Sequence, residues 1–289
     1  MAAAISLAGL TKRYGEARGI DDVSFDVPEA TIFGFIGPNG AGKTTTIRIL
    51  LGLIAPTSGT ARIFDRDVTL GPAARASTGY VPGETDLYPR MRARELLAYL
   101  GSFHPGDHAA RRHELAARFD LDLDRRTDDL SLGNRKKVAI VAALQHAPRL
   151  IVLDEPSNGL DPVIRARLHE TLRDEAARGA TIFFSSHELA EVQAVCRAVA
   201  VLREGRVVAC GDVAALRGRE VRRVRAIGID PIELAGVTGL ERDGDAITFL
   251  YDGPMPALLS ALAAAAPRDV RIDEPTLEEV FLRYYAGTS

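Results

Sequence analysis

The segment Gly37–Thr44, which reads GPNGAGKT, constrains the fold of this chain more than any other stretch. It matches the phosphate-loop pattern of Gly, four residues of any type, Gly, Lys, and Ser or Thr. The apolar run Thr31–Ile36 before it is typical of a short buried strand. After it, apolar residues recur on one face of a helix, at Ile47, Leu50, Leu51 and Ile54. The motif requires a loop between a strand and a helix, and this segment meets that requirement. We therefore predict that the chain binds a nucleoside triphosphate.

The residues of this loop predict how phosphates are held. Its glycines allow a tight turn in which backbone N–H groups converge on phosphate oxygens, helped by the N-terminus of the following helix. Lys43 is predicted to place a positive charge on the outer phosphates, and Thr44 a hydroxyl group on Mg²⁺. The candidate nucleotide-binding residues of the loop are Gly37, Pro38, Asn39, Gly40, Ala41, Gly42, Lys43, Thr44 and Thr45.

The composition narrows the class of protein. With 289 residues, of which 46% are hydrophobic and 26% charged, the chain is long enough for one large or two modest globular domains. Its net charge of −3 provides no overall basic field for nucleic acid. Cys196 and Cys210 lack the spacing of metal ligands and are expected to be reduced packing residues. No signal peptide is expected and no apolar run approaches the ~20 residues of a transmembrane helix, so a partner would have to supply any membrane-spanning part.

The order of strand-like and helical segments predicts an α/β fold. Strand patterns at Ile5–Leu10, Val23–Val27 and Thr60–Phe64 surround the phosphate loop and its helix. From about residue 84 to residue 148 the strand patterns stop, and charged, alanine-rich sequence predicts an inserted helical subdomain. The histidines of this insertion form no zinc-binding pattern with cysteines and are expected on the solvated surface; they are His104, His108, His113 and His146.

The last part of the chain is predicted to form a separate, small α+β domain. The basic stretch Arg219–Arg225 places arginines beside valines at alternate positions, which favours an exposed strand face over a nucleic-acid patch. A strand at Ile247–Tyr251 and a helix at Met255–Ala265 follow. Thr276 and Glu279 form a capping box before a final amphipathic helix. The predicted domains are residues 1–216 and 217–289.

Two carboxylates after a second apolar strand complete the predicted catalytic site. Asp154 and Glu155 directly follow Leu150–Leu153, and a strand that ends in such a pair is typical of a nucleotide-hydrolysing site. Asp154 is predicted to hold Mg²⁺, directly or through water, and Glu155 to polarise the attacking water. Asp161 and Pro162 supply the cap and first residue of the next helix, which leaves the earlier pair available for chemistry.

Two further residues each have an ordinary and a functional interpretation. His187 lies just past the apolar strand Thr181–Ser185. A histidine at a strand end is most often structural, but ligands bind at this edge of a doubly wound sheet, so His187 is a candidate γ-phosphate contact. Tyr14 lies in the first connection, in TKRYG, and could stack on a nucleotide base, although spacing alone favours an ordinary turn tyrosine.

The segment Leu130–Asn134, which reads LSLGN, indicates the family. Together with the phosphate loop, Leu150–Glu155, Gly159–Asp161 and Ser186–His187, it resembles the ATP-binding-cassette (ABC) ATPases in order and spacing, over about residues 5–216. The resemblance implies a phosphate-loop (RecA-like) core with an antiparallel β subdomain and the helical insertion, acting on ATP with Mg²⁺. The catalytic candidates are Lys43, Glu155 and His187, and the candidate metal ligands are Thr44 and Asp154.

The resemblance also implies partners. In this family two nucleotide-binding subunits form a head-to-tail dimer, and each ATP lies between the phosphate loop of one subunit and the signature motif of the other. With LSLGN as the signature, Ser131 and Gly133 would face the γ-phosphate held by the second subunit, where the helix N-terminus favours negative charge. Tyr14 aligns with the base-stacking aromatic residue, and Asp161 falls in the loop that communicates across the dimer. The insertion would receive an integral membrane permease, which places the chain on the cytoplasmic side of the cell membrane.

The sequence departs from the family pattern at two places. Leu132 and Asn134 stand where the signature usually has Gly and Gln, and the leucine is tolerated only if its side chain points away from the phosphate. Gly83 stands where the family has the glutamine whose amide reaches Mg²⁺ and the attacking water, and Glu84 could replace it only through water. These departures, with the tail Glu274–Tyr285, are similar to those in a branch of bacterial exporters of drugs, antibiotics or polyketides.

Three functions are compatible with these motifs. The leading hypothesis is the ATPase subunit of an export transporter, in which ATP binding closes the dimer and hydrolysis reopens it. The alternative is a soluble ABC ATPase that acts on nucleic acid or ribosomes, which the acidic net charge and the single cassette disfavour. A third is a module that senses ATP without hydrolysing it, which Gly83 favours and which Glu155 and His187 disfavour.

Overall fold

The computed structural model describes residues 2–15, 17–216 and 221–274. The chain divides into two compact units, Met1–Gly211 and Asp212–Ser289. No helix within the described ranges combines the length and the apolar character that crossing a bilayer requires.

The described elements of the two units are strands and helices. The strands are β1 (Ala3–Tyr14), β2 (Ala17–Pro28), β3 (Ile32–Ile36), β4 (Ser58–Ile63), β5 (Arg66–Asp67), β6 (Thr78–Val81), β7 (Leu150–Asp154), β8 (Thr181–Ser186), β9 (Ala198–Arg203), β10 (Arg206–Asp212), β11 (Val221–Ile227), β12 (Val237–Asp243), β13 (Ala246–Asp252) and β14 (Asp269–Asp273). The α-helices are α1 (Lys43–Leu50), α2 (Ala93–Gly101), α3 (Ala109–Arg118), α4 (Leu132–Leu144), α5 (Pro162–Ala177), α6 (Leu189–Val195), α7 (Val213–Leu216) and α8 (Met255–Ala265). Short 3₁₀ turns lie at Val68–Leu70, Pro72–Arg75 and Thr127–Asp129.

The larger sheet of the first unit brings the sequence motifs to one edge. Its six strands follow the order β10-β9-β3-β8-β7-β6, and the strands from β9 to β6 pair in parallel. Every residue of β3, β7 and β8 is buried, as expected for strands that are covered on both faces. Because the carboxyl ends of parallel strands share one edge, the loops after β3, β7 and β8 converge there.

A smaller antiparallel sheet packs on the same hydrophobic core. Its order is β2-β1-β4-β5, and its apolar side chains share one core cluster with α1, β3, β7 and β8. Stacked aromatic rings connect the two sheets, since Phe25 lies 5.6 Å from Phe33 and Phe33 lies 6.2 Å from Phe183, measured between ring centroids. The expected phosphate-loop core with an antiparallel β subdomain is therefore confirmed.

The helical insertion contains α2, α3 and α4 and no strand, as predicted for residues 84–148. Its histidines are not all solvated, so that expectation is wrong. The rings of His104 and His146 stack with centroids 3.6 Å apart, and burial lowers the pKa of His146 to about 4. The reason is that the His146 ring stacks on His104, just after the largely buried helix α4 and its C-cap Gln145.

The described part of the second unit is an antiparallel sheet in the order β12-β13-β11-β14, with α8 packed against it. Leu258 and Leu262 of α8 share a core with Val224 and Phe249 of the sheet, so the expected α+β fold is confirmed. The arginine-rich stretch forms β11 from Val221 onward. The predicted capping box and final helix lie outside the described residues, and the domain limits at 216 and 217 stay a prediction.

Two smaller expectations need correction. Tyr14 is the last residue of β1 rather than part of a connection, because β1 runs further than its alternating pattern indicated. Cys196 and Cys210 are both free, but only Cys196 is buried, whereas Cys210 is exposed on β10. The residues of β10 alternate between exposed and half-buried, so this strand is partly exposed and does not pack in the core.

Candidate functional site

The phosphate loop lies between β3 and α1, as predicted. Gly42 caps α1 with a φ of 107°, and a β-carbon on it would lie 2.5 Å from a side-chain atom of β2. A β-carbon on Gly37 would lie 2.4 Å from the carbonyl oxygen of Leu202. Both positions therefore need glycine. The N–H of Gly205 donates to the carbonyl of Ala41 at 3.0 Å, which holds the loop against the turn between β9 and β10.

Lys43 joins the two predicted halves of the catalytic site. Its side chain is only 4% exposed, and Nζ donates to the carbonyl oxygens of Gly37 at 2.7 Å and Pro38 at 3.3 Å. The same ammonium lies 3.2 Å from Oε1 of Glu155. The charge of Lys43 is thus held between the phosphate loop and the carboxylate that follows β7.

Asp154 is fixed by the strand next to its own. In the parallel pairing of β7 with β8, Asp154 lies beside Ser185. The hydroxyl of Ser185 donates to Oδ1 of Asp154 at 2.8 Å, and Asp154 is 2% exposed. A carboxylate held in this way presents a defined oxygen to a ligand at the sheet edge.

Glu155 adopts a backbone conformation that is uncommon for a residue with a side chain. Its φ is 47°, in the left-handed region. Its N–H donates to the carbonyl of Ser185 at 3.2 Å and to the hydroxyl of Ser185 at 3.1 Å, which stabilises the turn. A strained backbone of this kind persists only where the surrounding contacts hold it. Here the turn brings the Glu155 carboxylate next to the ammonium of Lys43.

Three side chains contact the Glu155 carboxylate. Besides Lys43, Asn158 donates from Nδ2 to Oε2 at 2.8 Å, and Nδ1 of His187 lies 3.2 Å from the same oxygen. Burial is the largest single influence on the pKa of Glu155 and acts to raise it. The hydrogen bonds from Lys43 and Asn158, with the charges of Lys43 and His187, together outweigh burial and hold the pKa below its ordinary value. Glu155 is therefore ionised near neutral pH, which is the form that a general base requires.

A cavity of about 490 Å³ lies beside the loop, and its walls include Asn39, Thr44, Gly83, Asp154 and Glu155. The predicted metal ligands Thr44 and Asp154 thus face one space. No group of three or more His, Cys, Asp or Glu in the described residues could hold a metal ion by itself. A Mg²⁺ ion that is bound by one or two protein oxygens, substrate phosphates and water needs no such group, so the residues present fit a magnesium–nucleotide complex.

Tyr14 packs on strand β2, which in turn packs on the phosphate loop. A β-carbon on Gly19 would lie 2.9 Å from Cε2 of the Tyr14 ring, and one on Gly42 would lie 2.9 Å from the Gly19 carbonyl oxygen. The ring is therefore stacked over the strand that covers Gly42, and it is 48% exposed. The ammonium of Lys12 lies over this ring, with Nζ 5.4 Å from the ring centroid.

The signature residues lie at the start of α4. Ser131 is the N-cap, and its hydroxyl accepts from the N–H of Asn134 at 3.4 Å. A β-carbon on Gly133 would lie 2.6 Å from the Gly159 carbonyl oxygen, so the signature packs on the loop that leads to α5. Leu132 lies against the same glycine and is 63% exposed. In the described residues, these contacts do not extend to the phosphate loop.

Asp161 is the cap of α5, as predicted. Its Oδ1 accepts from the N–H groups of Ile164 and Val163, both at 3.0 Å. These two bonds, the one from Ile164 foremost, hold the pKa of Asp161 below its ordinary value. The side chain is thus occupied by the helix, while its loop contacts the signature through Gly159.

Sequence reasoning missed three residues of the site. Asn158 and Ser185 orient Glu155 and Asp154, and the polar end of the otherwise apolar β8 was a signal for Ser185. Lys136 is only 1% exposed, and its Nζ donates to the carbonyls of Pro82 at 2.8 Å and Gly83 at 2.6 Å. Because Lys136 stands between Arg135 and Lys137, no local pattern signals its burial.

The fold and this edge define a phosphate-loop nucleoside triphosphatase. The ABC transporter family matches residues 20–158. The Nod factor export ATP-binding protein I of Paraburkholderia xenovorans (strain LB400) is 38% identical over 81% of this chain and 77% of its own length. A second protein of that name, from Rhizobium sp. (strain N33), is 33% identical over 97% of this chain and 96% of its own length. The uncharacterized ABC transporter ATP-binding protein YhaQ of Bacillus subtilis (strain 168) is 34% identical over 76% of this chain and 73% of its own length.

Solved structures agree with the sequence relatives. An ATP-binding subunit of an ABC transporter superposes with a TM-score of 0.71 at 31% identity, over 74% of this chain and 92% of that chain. A dimeric bacterial ABC transporter cassette shares the fold. It superposes with a TM-score of 0.67 at 24% identity, over 72% of this chain and 98% of that chain. This chain belongs to the ABC transporter ATP-binding proteins and is an ABC ATPase.

Proposed function

We propose that this chain is the ATP-hydrolysing subunit of a transporter that exports a small molecule through a separate membrane-spanning permease. The observation that carries the proposal is the network around Glu155. An ionised carboxylate lies at the end of β7 in contact with Lys43, Asn158 and His187, beside the buried Asp154. A chain that only senses ATP has no need of a carboxylate that is oriented from three sides.

Each side chain of this network has a proposed role. Lys43 and the loop N–H groups bind the β- and γ-phosphates, and Tyr14 stacks on the base. Thr44 and Asp154 hold Mg²⁺, which supplies charge neutralisation on the phosphate oxygens. Glu155 accepts a proton from the attacking water, and His187 contacts the γ-phosphate. The strained turn at Glu155 keeps this carboxylate in place without further reorganisation.

The site is proposed to be completed by a second copy of the chain. Ser131 and Gly133 begin a helix whose N-terminal N–H groups favour an anion, and Ser131 and Leu132 are exposed. In a head-to-tail dimer this helix start would face the γ-phosphate held by the other copy, and Asp161 would lie near the same boundary. The assembly is therefore proposed to be a homodimer with two shared ATP sites.

The export direction and the permease rest on the relatives. The names of several of them state export of Nod factor, and the family that matches this chain is that of ABC transporters. With no spanning helix in the described residues, the path through the membrane would belong to another subunit. The chain would then act on the cytoplasmic face of the cell membrane, without nucleic acid as a partner.

Two measurements test the proposal. The tagged chain is purified from its native membranes, and accompanying proteins are identified by mass spectrometry; an integral membrane subunit is expected. Its Mg²⁺-dependent ATPase rate is compared with that of Lys43→Ala, which removes the ammonium that the loop holds. Absence of any membrane subunit would remove the transport proposal, and a rate no higher than that of Lys43→Ala would favour ATP sensing. Tight, salt-dependent RNA or DNA binding would instead support the alternative function.

A further inference from the structure

Lys136 is a buried cation beside the catalytic cavity that the proposed mechanism does not use. It lies on α4, is 1% exposed, and donates from Nζ to the carbonyls of Pro82 and Gly83 at 2.8 and 2.6 Å. Burial lowers the pKa of Lys136, while the negative charges of Asp154 and Glu155 act in the opposite direction. Because burying an ammonium is unfavourable unless it is well bonded, its two short bonds define where this segment lies.

The segment that Lys136 binds is part of the cavity wall. Pro82 and Gly83 line the same cavity as Thr44 and Asp154. A β-carbon on Gly83 would lie 3.5 Å from the carbonyl oxygen of Asp154 and 3.6 Å from its Oδ2. Gly83 has no side chain with which to anchor itself there. The lysine on the neighbouring helix supplies this anchor through the backbone carbonyls.

The same helix begins at the signature motif. Ser131 caps α4, and Gly133 in its first turn packs on Gly159. Lys136 follows Gly133 by three residues, which places both within about one helical turn. A single rigid element therefore touches the loop before α5 at one point and the cavity wall beside Asp154 at another.

We infer that Lys136 is a positioning residue for hydrolysis. It fixes Pro82 and Gly83 beside Asp154, and so ties the signature helix to the catalytic cavity of the same chain. The inference deepens the proposed function and rests on it. Lys136 is assigned no direct part in holding phosphate, a role proposed for Lys43, whose Nζ lies 3.2 Å from Oε1 of Glu155.

The test compares Lys136→Met with a control on the adjacent residue. Lys137 is also largely buried, at 9% exposed, and its Nζ donates to the carbonyl of Asp120 at 3.3 Å, away from the cavity. Lys137→Met thus removes a similar amine from the same helix. The full chains are assayed for kcat and KM with Mg²⁺ and ATP, for binding of a fluorescent ATP analogue, and for unfolding in urea.

The expected result is a kcat for Lys136→Met that falls by roughly 10- to 100-fold while the affinity for the analogue stays within about twofold. Lys137→Met is expected to lower stability without this loss of kcat. Lys136→Arg, which keeps a cation and donors, is expected to recover part of the rate. If Lys136→Met does not fold, Lys136→Gln is measured in the same way and must show the same separation of kcat from affinity.

Other results would overturn the inference. It fails if kcat is unchanged in Lys136→Met, if both methionine variants lose the same fraction of kcat, or if nucleotide affinity falls in proportion to kcat. These failures differ from a failure of the proposed function. In that case the wild-type chain itself would turn over no faster than Lys43→Ala, and both proposals would be withdrawn together.

Discussion

The carboxyl edge of the parallel sheet and the start of α4 are two halves of one predicted site, and they are built differently. At the sheet edge the predicted catalytic side chains and Asp154 have partners in their own chain: Lys43 with Glu155, Asp154 with Ser185, and His187 with Glu155. At the start of α4, Ser131 bonds only its own helix among the described contacts, and Leu132 is exposed. The first half is preorganised within the chain, whereas the second presents its polar groups outward. This difference is what a site shared between two copies requires.

The largest effect is expected from Glu155→Gln at the preorganised half. The amide keeps the shape of the side chain and its bond distance to Lys43, but it cannot accept the proton of the attacking water. We expect kcat to fall by roughly 10²- to 10⁴-fold. ATP should still bind, and the ATP-bound dimer should accumulate, as seen by size-exclusion chromatography with Mg²⁺ and ATP. A variant that turns over at the wild-type rate would show that Glu155 is not the base.

The next effect is expected at the outward-facing half. Ser131→Ala removes the hydroxyl that would reach the other copy's γ-phosphate, and we expect kcat to fall by roughly 10- to 100-fold. It also removes a helix cap, which costs about 1 kcal/mol of stability. Ser131→Thr keeps both the hydroxyl and the cap and serves as the control.

The two halves should respond differently when nucleotide binding is measured on the isolated chain. Ser131→Ala should bind a fluorescent ATP analogue as the wild type does, whereas Lys43→Ala should lose binding. Equal loss in both variants would mean that Ser131 belongs to the same pocket as Lys43 within one copy.

A smaller effect is expected from restoring a side chain at Gly83. A β-carbon there meets Asp154 only at ordinary contact distance, and Gly83 is not among the described residues with positive φ, so a side chain fits. Gly83→Gln places an amide in the cavity beside Asp154, and we expect kcat to rise by roughly threefold. Gly83→Ala adds the β-carbon without the amide, so a rise of the same size in both variants would rule out a role for the amide.

The smallest effect is expected away from both halves, in the helical insertion. Burial lowers the pKa of His146 from 6.5 to about 4, so the unfolded chain binds a proton at pH values where the folded chain does not. The contribution of this residue to stability is therefore complete above about pH 6.5 and declines as the pH falls towards 4. The free energy of unfolding in urea should fall more steeply over this pH range for the wild type than for His146→Gln. The variant should retain its ATPase activity at pH 7.5. Parallel pH profiles for the two proteins would contradict the assignment.

Local sequence patterns were sufficient for the main elements and for which residues meet at the edge. The buried strands β3, β7 and β8 are short apolar runs, and each is followed by its motif, so the positions of Lys43, Asp154, Glu155 and His187 at one edge follow from the parallel order. These local patterns do not contain the register between neighbouring strands. The bond from Ser185 to Asp154 depends on which residues of β7 and β8 lie side by side.

Packing between distant segments explains the remaining differences. Lys136 is charged, and its residue type favours the surface, yet two carbonyls more than 50 positions earlier hold it inside. The burial of His146 likewise follows from stacking on His104, 42 residues away. Neither contact leaves a periodic signal in the sequence.

The most direct test of the shared site is a mixture of two inactive variants. Lys43→Ala disables the phosphate loop, and Ser131→Arg adds bulk and charge at the exposed start of α4. If each ATP lies between the loop of one copy and the signature of the other, a mixed dimer contains one site with both lesions and one intact site. We expect each variant alone to be inactive, and we expect mixing them, with subunit exchange, to restore a substantial fraction of the wild-type ATPase rate. If the mixture stays as inactive as its parts while mixed dimers form, the site is not shared in this way.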